Sequence, residues 1–276
     1  VVSPNFTIKY DQTNQEIENK LKNLIRYSDP NPERNTIFIW PEGVFTGYSY
    51  GEVLKFSKLI KKNFSKNHKI IFGINTIEKK TNKYFNSLIL VNNDFEILQK
   101  YNKKKLVPFG EFLPMENLLN KFGFKKITEG HGSFSAGNND NIIKIENIIS
   151  IPLICYEIIF PELIQKSTKD SNLIINISED GWFGNSIGPH QHFSKAIFRS
   201  IENNTFLVRS ANQGISAIID NKGEILKKLE THETGSIEMN IPLIKSDYKN
   251  KNDLIFLILL ITYLAIFLIF KKNAKK

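Results

Sequence analysis

A chain of 276 residues with 41% hydrophobic and 24% charged residues sits near the average of globular proteins, which excludes a collagen-like repeat, wholesale disorder and a disulfide-stapled miniprotein. Its single cysteine, Cys155, cannot close an internal disulfide, so the thiol is either a packed small hydrophobe or a reagent. The net charge of +9 is uneven: Lys271, Lys272, Lys275 and Lys276 crowd the last six residues, leaving +5 over the rest, too little to argue for a nucleic-acid partner.

The chain opens VVSPNFTI with neither an initiator methionine nor a charged segment leading into an apolar one, and is expected to be a piece of a longer polypeptide. Thr13, with Glu16 three residues on, makes a capping-box start, and Ile17, Leu21, Leu24 and Ile25 follow on one helical face. TIFIW, residues 36–40, reads as a buried strand stopped by Pro41. A lysine-rich amphipathic helix is predicted from about Val53 to Asn63, then strands at 69–74, 87–91 and 96–99, the last two around a turn at 92–94. The stretch 102–141 has little periodicity, and such lengths in compact domains serve as lids or binding arms.

The second half repeats the style. A strand at 149–154 runs into Cys155, a short helix is expected near Pro161, and a strand at 173–178 precedes a helix from about Gln191 to Asn203. Strands at 206–211 and 215–220 and a turn at 221–223 complete the pattern. Strands separated by helices imply a layered α/β fold, one domain over residues 1–250, with no internal repeat or linker.

The tail differs in kind. From Leu254 to Phe270 run seventeen residues without a charge, bracketed by Asp253 and Lys271 and interrupted only by Thr262 and Tyr263. As a helix this spans about 26 Å, close to the roughly 30 Å of a bilayer core once flanking lysines snorkel. A buried core helix would be expected to carry a polar stripe, so a transmembrane helix over 253–270 is the better reading. The basic tail 271–276 then faces the cytoplasm, and residues 1–250 the opposite side, which in a bacterium is the periplasm.

Three titratable residues each follow a strand: Glu42 after 36–40, Lys103 after the strand ending near Tyr101, and Cys155 after 149–154. Ligands in α/β sheets bind outside the carboxyl ends of strands, so these three can converge. An ammonium lowers a thiol's pKa, a carboxylate can take its proton, and the same ammonium can stabilise the oxyanion formed when the sulfur attacks a carbonyl. The plain alternatives are a packed cysteine, a solvated basic loop at 103–105 and a surface carboxylate. His190 and His192 form an H-x-H pair without a cysteine or acidic partner at ligand spacing, and read as a helix start rather than a zinc site. No G-x-G-x-x-G, Walker loop or H-E-x-x-H is present, so no cofactor and no metal are expected.

The strings W-P-E at 40–42, K-K-K-L-V-P-F-G-E at 103–111, C-Y-E at 155–157 and N-I-S-E-D-G-W-F-G at 176–184, followed by G-P-H-Q-H, resemble the carbon-nitrogen hydrolase (nitrilase) superfamily. Within it, L-V-P-F-G-E-F-L-P at 106–114, W-F-G-x-S-x-G-P-x-Q-H at 182–192 and the apolar tail are similar to the bacterial apolipoprotein N-acyltransferase family. The resemblance implies a nitrilase-like αββα sandwich with a C-terminal transmembrane helix, in the bacterial inner membrane with the catalytic domain on the periplasmic face. It implies a Glu42, Lys103, Cys155 triad, with Glu42 as general base, Lys103 supporting the tetrahedral intermediate and Cys155 carrying a thioester. Glu111 matches a second essential carboxylate, and Tyr156 and Glu157 match residues flanking the nucleophile.

Implied partners are a phospholipid acyl donor, an apolipoprotein acceptor and the membrane, with no nucleic acid and a monomeric state. Tyr10 stands where the family tends to have tryptophan, and with Trp182 is a candidate substrate contact; Glu179 and Gly181 depart from the family's usual residues. The family's several N-terminal membrane helices have no counterpart in this sequence, which therefore resembles the catalytic domain and final anchor of a longer enzyme. Two other readings are a membrane-anchored amidase or nitrilase, in which water resolves the acyl-enzyme, and a catalytically inactive membrane-bound interaction module.

Overall fold

Strands that are apolar on both faces need cover on both faces, and the chain supplies it by stacking two sheets between layers of helix. The structure, a computed structural model, describes residues 1–115, 133–138, 141–165, 170–246 and 252–273. In chain order these form β1 (Val2–Ser3), α1 (Asn14–Ser28), β2 (Thr36–Ile39), α2 (Tyr50–Val53), α3 (Ser57–Asn63), β3 (His68–Glu78), β4 (Lys83–Val91) and β5 (Ile97–Asn102). Then come β6 (Ile143–Ile145), β7 (Ile148–Ile154), α4 (Glu162–Gln165), β8 (Leu173–Glu179), α5 (Gly188–Asn203), β9 (Leu207–Asn212), β10 (Ser216–Ile219), β11 (Ile225–Leu229), β12 (Gly235–Ser236) and α6 (Asn252–Asn273).

One sheet has the order β2-β3-β4-β5, the other β11-β10-β9-β8-β7-β6, and β1 pairs with β12. Residue alternation sorts the layers. Phe38, Ile70, Phe72 and Ile74 pack outward against Ile17, Leu21 and Leu24 of α1 and Ile60 of α3. Ile39, Ile71, Leu88 and Leu90 point the other way and meet Ile154, Leu173, Ile175, Ile177 and Val208 between the sheets. Ile151, Leu153, Ile174 and Leu207 face Leu163 and Ile164 of α4 and Phe193 and Ala196 of α5. This is the αββα sandwich. Pro152 is tolerated within β7 because β6 pairs only with residues 148–150, leaving no ladder partner beside the proline on that side.

The predicted helix over 53–63 is broken. The capping box of Ser49 and Glu52 starts α2 at Tyr50, and a 3₁₀ turn over Leu54–Phe56 separates it from α3. Val53 and Ile60, the buried positions, are seven apart as in a continuous helix, so periodicity carried no sign of the break. The hairpin of β3 and β4 runs well beyond its apolar part, through Thr76–Phe85 to Glu78–Lys83. Strands β6 and β11 were not predicted; β11 is largely exposed and too polar to stand out. Of the proposed arm at 102–141, residues 116–132 and 139–140 lie outside the described residues.

The C-terminal helix α6 is among the described helices the one long and apolar enough to cross a membrane, with residues Leu254–Lys271 wholly unburied. Its 22 residues extend about 33 Å at about 1.5 Å per residue.

The capping box at α1 is present in full: Glu16 N–H donates to Thr13 Oγ1 at 3.3 Å and Thr13 N–H to Glu16 Oε2 at 2.7 Å. Thr13→Ala removes one arm and is expected to cost about 0.5–2 kcal/mol, read as a lowered urea midpoint in detergent with an unchanged slope.

Candidate active site

The strand directions bring the candidate residues to one edge. β2 and β3 are parallel, and two successive antiparallel pairings, β3 with β4 and β4 with β5, restore that direction at β5. In the other sheet β7, β8 and β9 are parallel. Glu42 after β2, Lys103 after β5, Cys155 after β7 and Glu179 at the end of β8 therefore all emerge at strand carboxyl ends. Pairing continues beyond β2, with Trp40 N–H donating to Ile71 O and Gly73 N–H to Pro41 O. This sets Glu42 against Gly73, where a Cβ would lie 2.9 Å from Glu42 Cα and 3.0 Å from Ile177 Cδ1. Glycine is required there by close approach.

Glu42, Lys103 and Glu111 form one buried cluster. Lys103 Nζ lies 3.0 Å from Glu111 Oε1 and 3.7 Å from Glu42 Oε1. Asn86 Nδ2 donates to both carboxylates, at 2.6 Å to Glu42 and 2.7 Å to Glu111. The second oxygen of Glu42 accepts from Glu179 N–H at 3.1 Å. Glu111 closes its own turn, accepting from Val107 N–H with Oε2 while its N–H donates to Val107 O, both at 2.8 Å. Burial opposes the Lys103 charge, but Glu111 and then Glu42 outweigh it and hold the ammonium above the ordinary lysine range.

Cys155 opens a 3₁₀ turn over Cys155–Ile159 and is itself left-handed, with φ +48°. Such a backbone in a non-glycine residue persists where surroundings over-determine it. Glu157 supplies much of that determination: it accepts from Ile154 N–H at 2.9 Å, Lys104 N–H at 2.7 Å, Lys105 N–H at 3.1 Å and the Tyr101 hydroxyl at 2.8 Å. Burial nevertheless raises the Glu157 carboxyl above the usual carboxylate range. Burial and the nearby Glu42 push the Cys155 thiol up to about 12 against the pull of Lys103. The resting sulfur is a thiol, and its activation needs a base.

Two concavities flank these groups. One is a recess, partly open to solvent, whose walls include Glu42, Glu111, Glu179, Tyr10 and Trp182. Tyr10 and Trp182, both in its wall, form a tilted aromatic pair with ring centroids 6.3 Å apart. The other is a groove lined by Leu106, Pro108, Phe112, Tyr156 and Phe160, with Lys104 and Lys105 alongside. Phe134 lines both.

All eight candidate residues thus lie in or around one site. Sequence reasoning missed Asn86, an amide inside an apolar strand, and the buried Glu179. The Glu179 carboxyl is pushed well above its ordinary value by burial, with Glu42 and Asp180 adding to the shift against hydrogen bonds from Asn212 and Gly181. Also missed was a buried polar group behind Cys155. Arg209 Nη2 donates to Asp180 Oδ2 at 2.7 Å, His192 Nδ1 lies 2.9 Å from Asp180 Oδ1, and Arg209 Nη1 donates to Asn176 Oδ1. His192 is indeed in the first turns of α5.

The sequence profile of the carbon-nitrogen hydrolase family matches residues 12–246. The chain is 41% identical over 160 residues to an apolipoprotein N-acyltransferase of Rhizobium leguminosarum bv. trifolii, covering 58% of this chain and 30% of that protein. It is 35% identical over 239 residues to an apolipoprotein N-acyltransferase of Rickettsia prowazekii, covering 86% of this chain and 47% of that one. The chain thus spans less than half the length of these curated relatives. The crystal structure of Saccharomyces cerevisiae Nit3, a member of branch 10 of the nitrilase superfamily, superposes with a TM-score of 0.57 over 84% of this chain and 85% of that one at 18% identity.

Burial raises the Asp180 carboxyl, but Arg209 and then His192 overcome it and bring it from 3.8 down to about 2. A carboxyl held below its unfolded value stabilises the fold above that value and loses this contribution as pH falls through the folded one, here between about pH 4 and about pH 2. Arg209→Met strands a buried aspartate and is expected to cost about 3–5 kcal/mol at pH 7. In urea titrations the gap to the unmodified chain should narrow as pH approaches 3; a pH-independent gap would reduce the pair to packing.

Proposed function

This chain belongs to the carbon-nitrogen hydrolase family, and on that premise we propose that it is the catalytic part of a membrane-anchored acyltransferase. Cys155 takes a fatty acyl chain from a phospholipid as a thioester and passes it to the N-terminal amine of a diacylglyceryl-cysteine apolipoprotein. The observation that carries this reading is the convergence of Cys155, Glu42 and Lys103 in a chain that also bears a wholly exposed apolar helix. The names of the curated relatives support the same substrate class.

In the first step Glu42 takes the thiol proton as Sγ attacks the ester carbonyl. The Lys103 ammonium stabilises the oxyanion, and collapse breaks the ester C–O bond while Glu42 returns the proton to the departing alcohol. In the second step the acceptor amine attacks the thioester, its proton passes through Glu42, and the C–S bond breaks to restore the thiol. Glu111 keeps Lys103 charged and in place, Asn86 fixes the spacing of the two carboxylates, and Glu157 holds the nucleophile's turn. Tyr10 and Trp182 contact substrate at the mouth of the recess. The groove beside Tyr156 suits an acyl chain, with Lys104 and Lys105 near a phosphate. Exclusion of water delays thioester hydrolysis until the amine arrives.

The helix at 253–270 spans the bacterial inner membrane, with residues 1–250 on the periplasmic face and 271–276 in the cytoplasm. The tether raises the local concentration of both lipidic substrates, and the chain acts as a monomer without a cofactor.

Intact-mass measurement of the chain in phosphatidylethanolamine micelles is expected to register a fatty-acyl adduct that is absent in Cys155→Ala and discharged by a diacylated lipopeptide. Failure of the adduct to form while small amides are hydrolysed would replace this reading with the anchored amidase. Glu42→Gln should slow adduct formation about 10²- to 10⁴-fold; an unchanged rate removes Glu42 from the proton path.

A further inference from the structure

Glu179 and Gly181, the two departures from the family pattern, form one structure. Gly181 N–H donates to Glu179 Oε1 at 2.9 Å, and a Cβ on residue 181 would lie 2.8 Å from that same oxygen. An alanine there would press on the carboxyl that the main chain holds. The other oxygen accepts from Asn212 Nδ2 at 2.7 Å. Asn212 is itself fixed, because its amide also gives to Phe6 O at 2.8 Å and accepts from Phe6 N–H at 2.7 Å. Gly43 leaves the space that Glu179 Oε2 occupies. The Glu179 main chain donates to Glu42 Oε2 at 3.1 Å, which ties this residue directly to the proposed base. The acyl-transfer steps above make no use of its side chain.

What this carboxyl lacks is a counter-charge. Glu42 and Glu111 share Lys103, and Asp180 has Arg209. Glu157 has no cation beside it but accepts from four donors. Glu179 is 4% exposed, has no ion-pair partner among the described residues, and with two donors keeps about half of its lone-pair positions open. It lines a recess whose walls also hold Glu42, Glu111 and the rings of Tyr10, Phe45 and Trp182, with no lysine or arginine among the lining residues. Carboxylates and aromatic faces both attract a cation. Burial raises the Glu179 carboxyl, and a cation beside it offsets that effect. The groove across Phe134 has the opposite character, with Lys104 and Lys105 in its wall.

We propose that Glu179 is a specificity-determining residue that recognises a primary ammonium in the recess, its open lone-pair positions accepting N–H from the ligand. The inference rests on the acyl-transfer reading, which supplies such a group twice: the α-amine of the acceptor and the ethanolamine of the phospholipid donor. An α-amine with an ordinary pKa of about 8 is largely charged at pH 7. Bound to Glu179 it lies next to Glu42, the group through which its proton leaves when it attacks the thioester. A phosphate is steered the other way, to the basic groove.

The test is equilibrium binding to the full chain in detergent, in a Cys155→Ala background that removes the nucleophile, followed by tryptophan fluorescence because Trp182 lines the recess. The probes are a diacylated lipopeptide and its N-acetylated form, and phosphatidylethanolamine and phosphatidylglycerol. Adding Glu179→Gln is expected to weaken the free-amine lipopeptide about 10- to 100-fold, the size of a hydrogen bond to a charged group, and to erase its advantage over the N-acetylated form. Loss of the preference for phosphatidylethanolamine over phosphatidylglycerol instead assigns the ammonium to the donor's headgroup and also supports the proposal. Losses equal within both pairs of probes, or no loss in either, overturn it. If Glu179→Gln does not fold, Gly181→Ala, which displaces the same carboxyl, is read in the same way. An unmodified chain that never forms a thioester sinks acyl transfer alone; a preference for the free amine that depends on Glu179 still stands.

Discussion

Everything at this site depends on one buried ammonium. Lys103 is 1% exposed, and the desolvation of a lysine charge costs several kcal/mol unless opposite charges and hydrogen bonds replace the lost water. Glu111 at 3.0 Å and Glu42 at 3.7 Å supply that replacement. Two carboxylates so close to one another repel, and Asn86 relieves the repulsion by donating to both. The cation, two anions and amide form a unit in which each member makes the burial of the others tolerable. The price of this arrangement falls on Cys155 beside the cluster: burial, and then Glu42, disfavour its thiolate against the pull of Lys103.

The sandwich is what delivers that unit. Around it, Glu42, Lys103, Cys155 and Glu179 come from different stretches of chain, and their meeting requires that β2, β5, β7 and β8 end on one side. The pair of antiparallel ladders through β4 achieves this within one sheet, and parallel pairing achieves it in the other. Small residues then allow close approach. Gly73 admits Glu42, and Gly43, at φ +76°, would place a Cβ only 2.3 Å from Glu179 Oε2.

Much of this was legible beforehand because it rests on local chemistry. The box at Thr13 and Glu16, the apolar runs 36–40, 149–154 and 173–178, and titratable residues just past strands are signals a few residues long. What could not be read depends on partners distant in sequence. Asn86 is 44 residues from Glu42 and 25 from Glu111, and nothing around it announces that a polar side chain in an apolar strand points into a site rather than to solvent. Ser178 and Asp180 lay inside a string used for family resemblance, yet their link to His192 and Arg209 exists only once β8, β9 and α5 are packed. The helix over 53–63 failed for the opposite reason: the local signal was clear, but a turn that preserves the buried positions leaves no trace in their spacing.

In the proposed acyl transfer, the single cysteine that reacts with an ester also has to survive until the ester arrives. Thiol oxidation and disulfide exchange proceed through the thiolate, so a sulfur kept protonated by burial and a neighbouring Glu42 is protected from both. The same features make it a poor nucleophile at rest. In the proposed mechanism reactivity is assembled at the moment of reaction, by a carboxylate that removes the proton and an ammonium already held in place. A site in which Lys103 was free to pair with Cys155 would carry a standing thiolate, more reactive toward every electrophile that entered. By committing Lys103 to Glu111 and Glu42, the fold exchanges that general reactivity, in the proposed mechanism, for dependence on proton removal by Glu42.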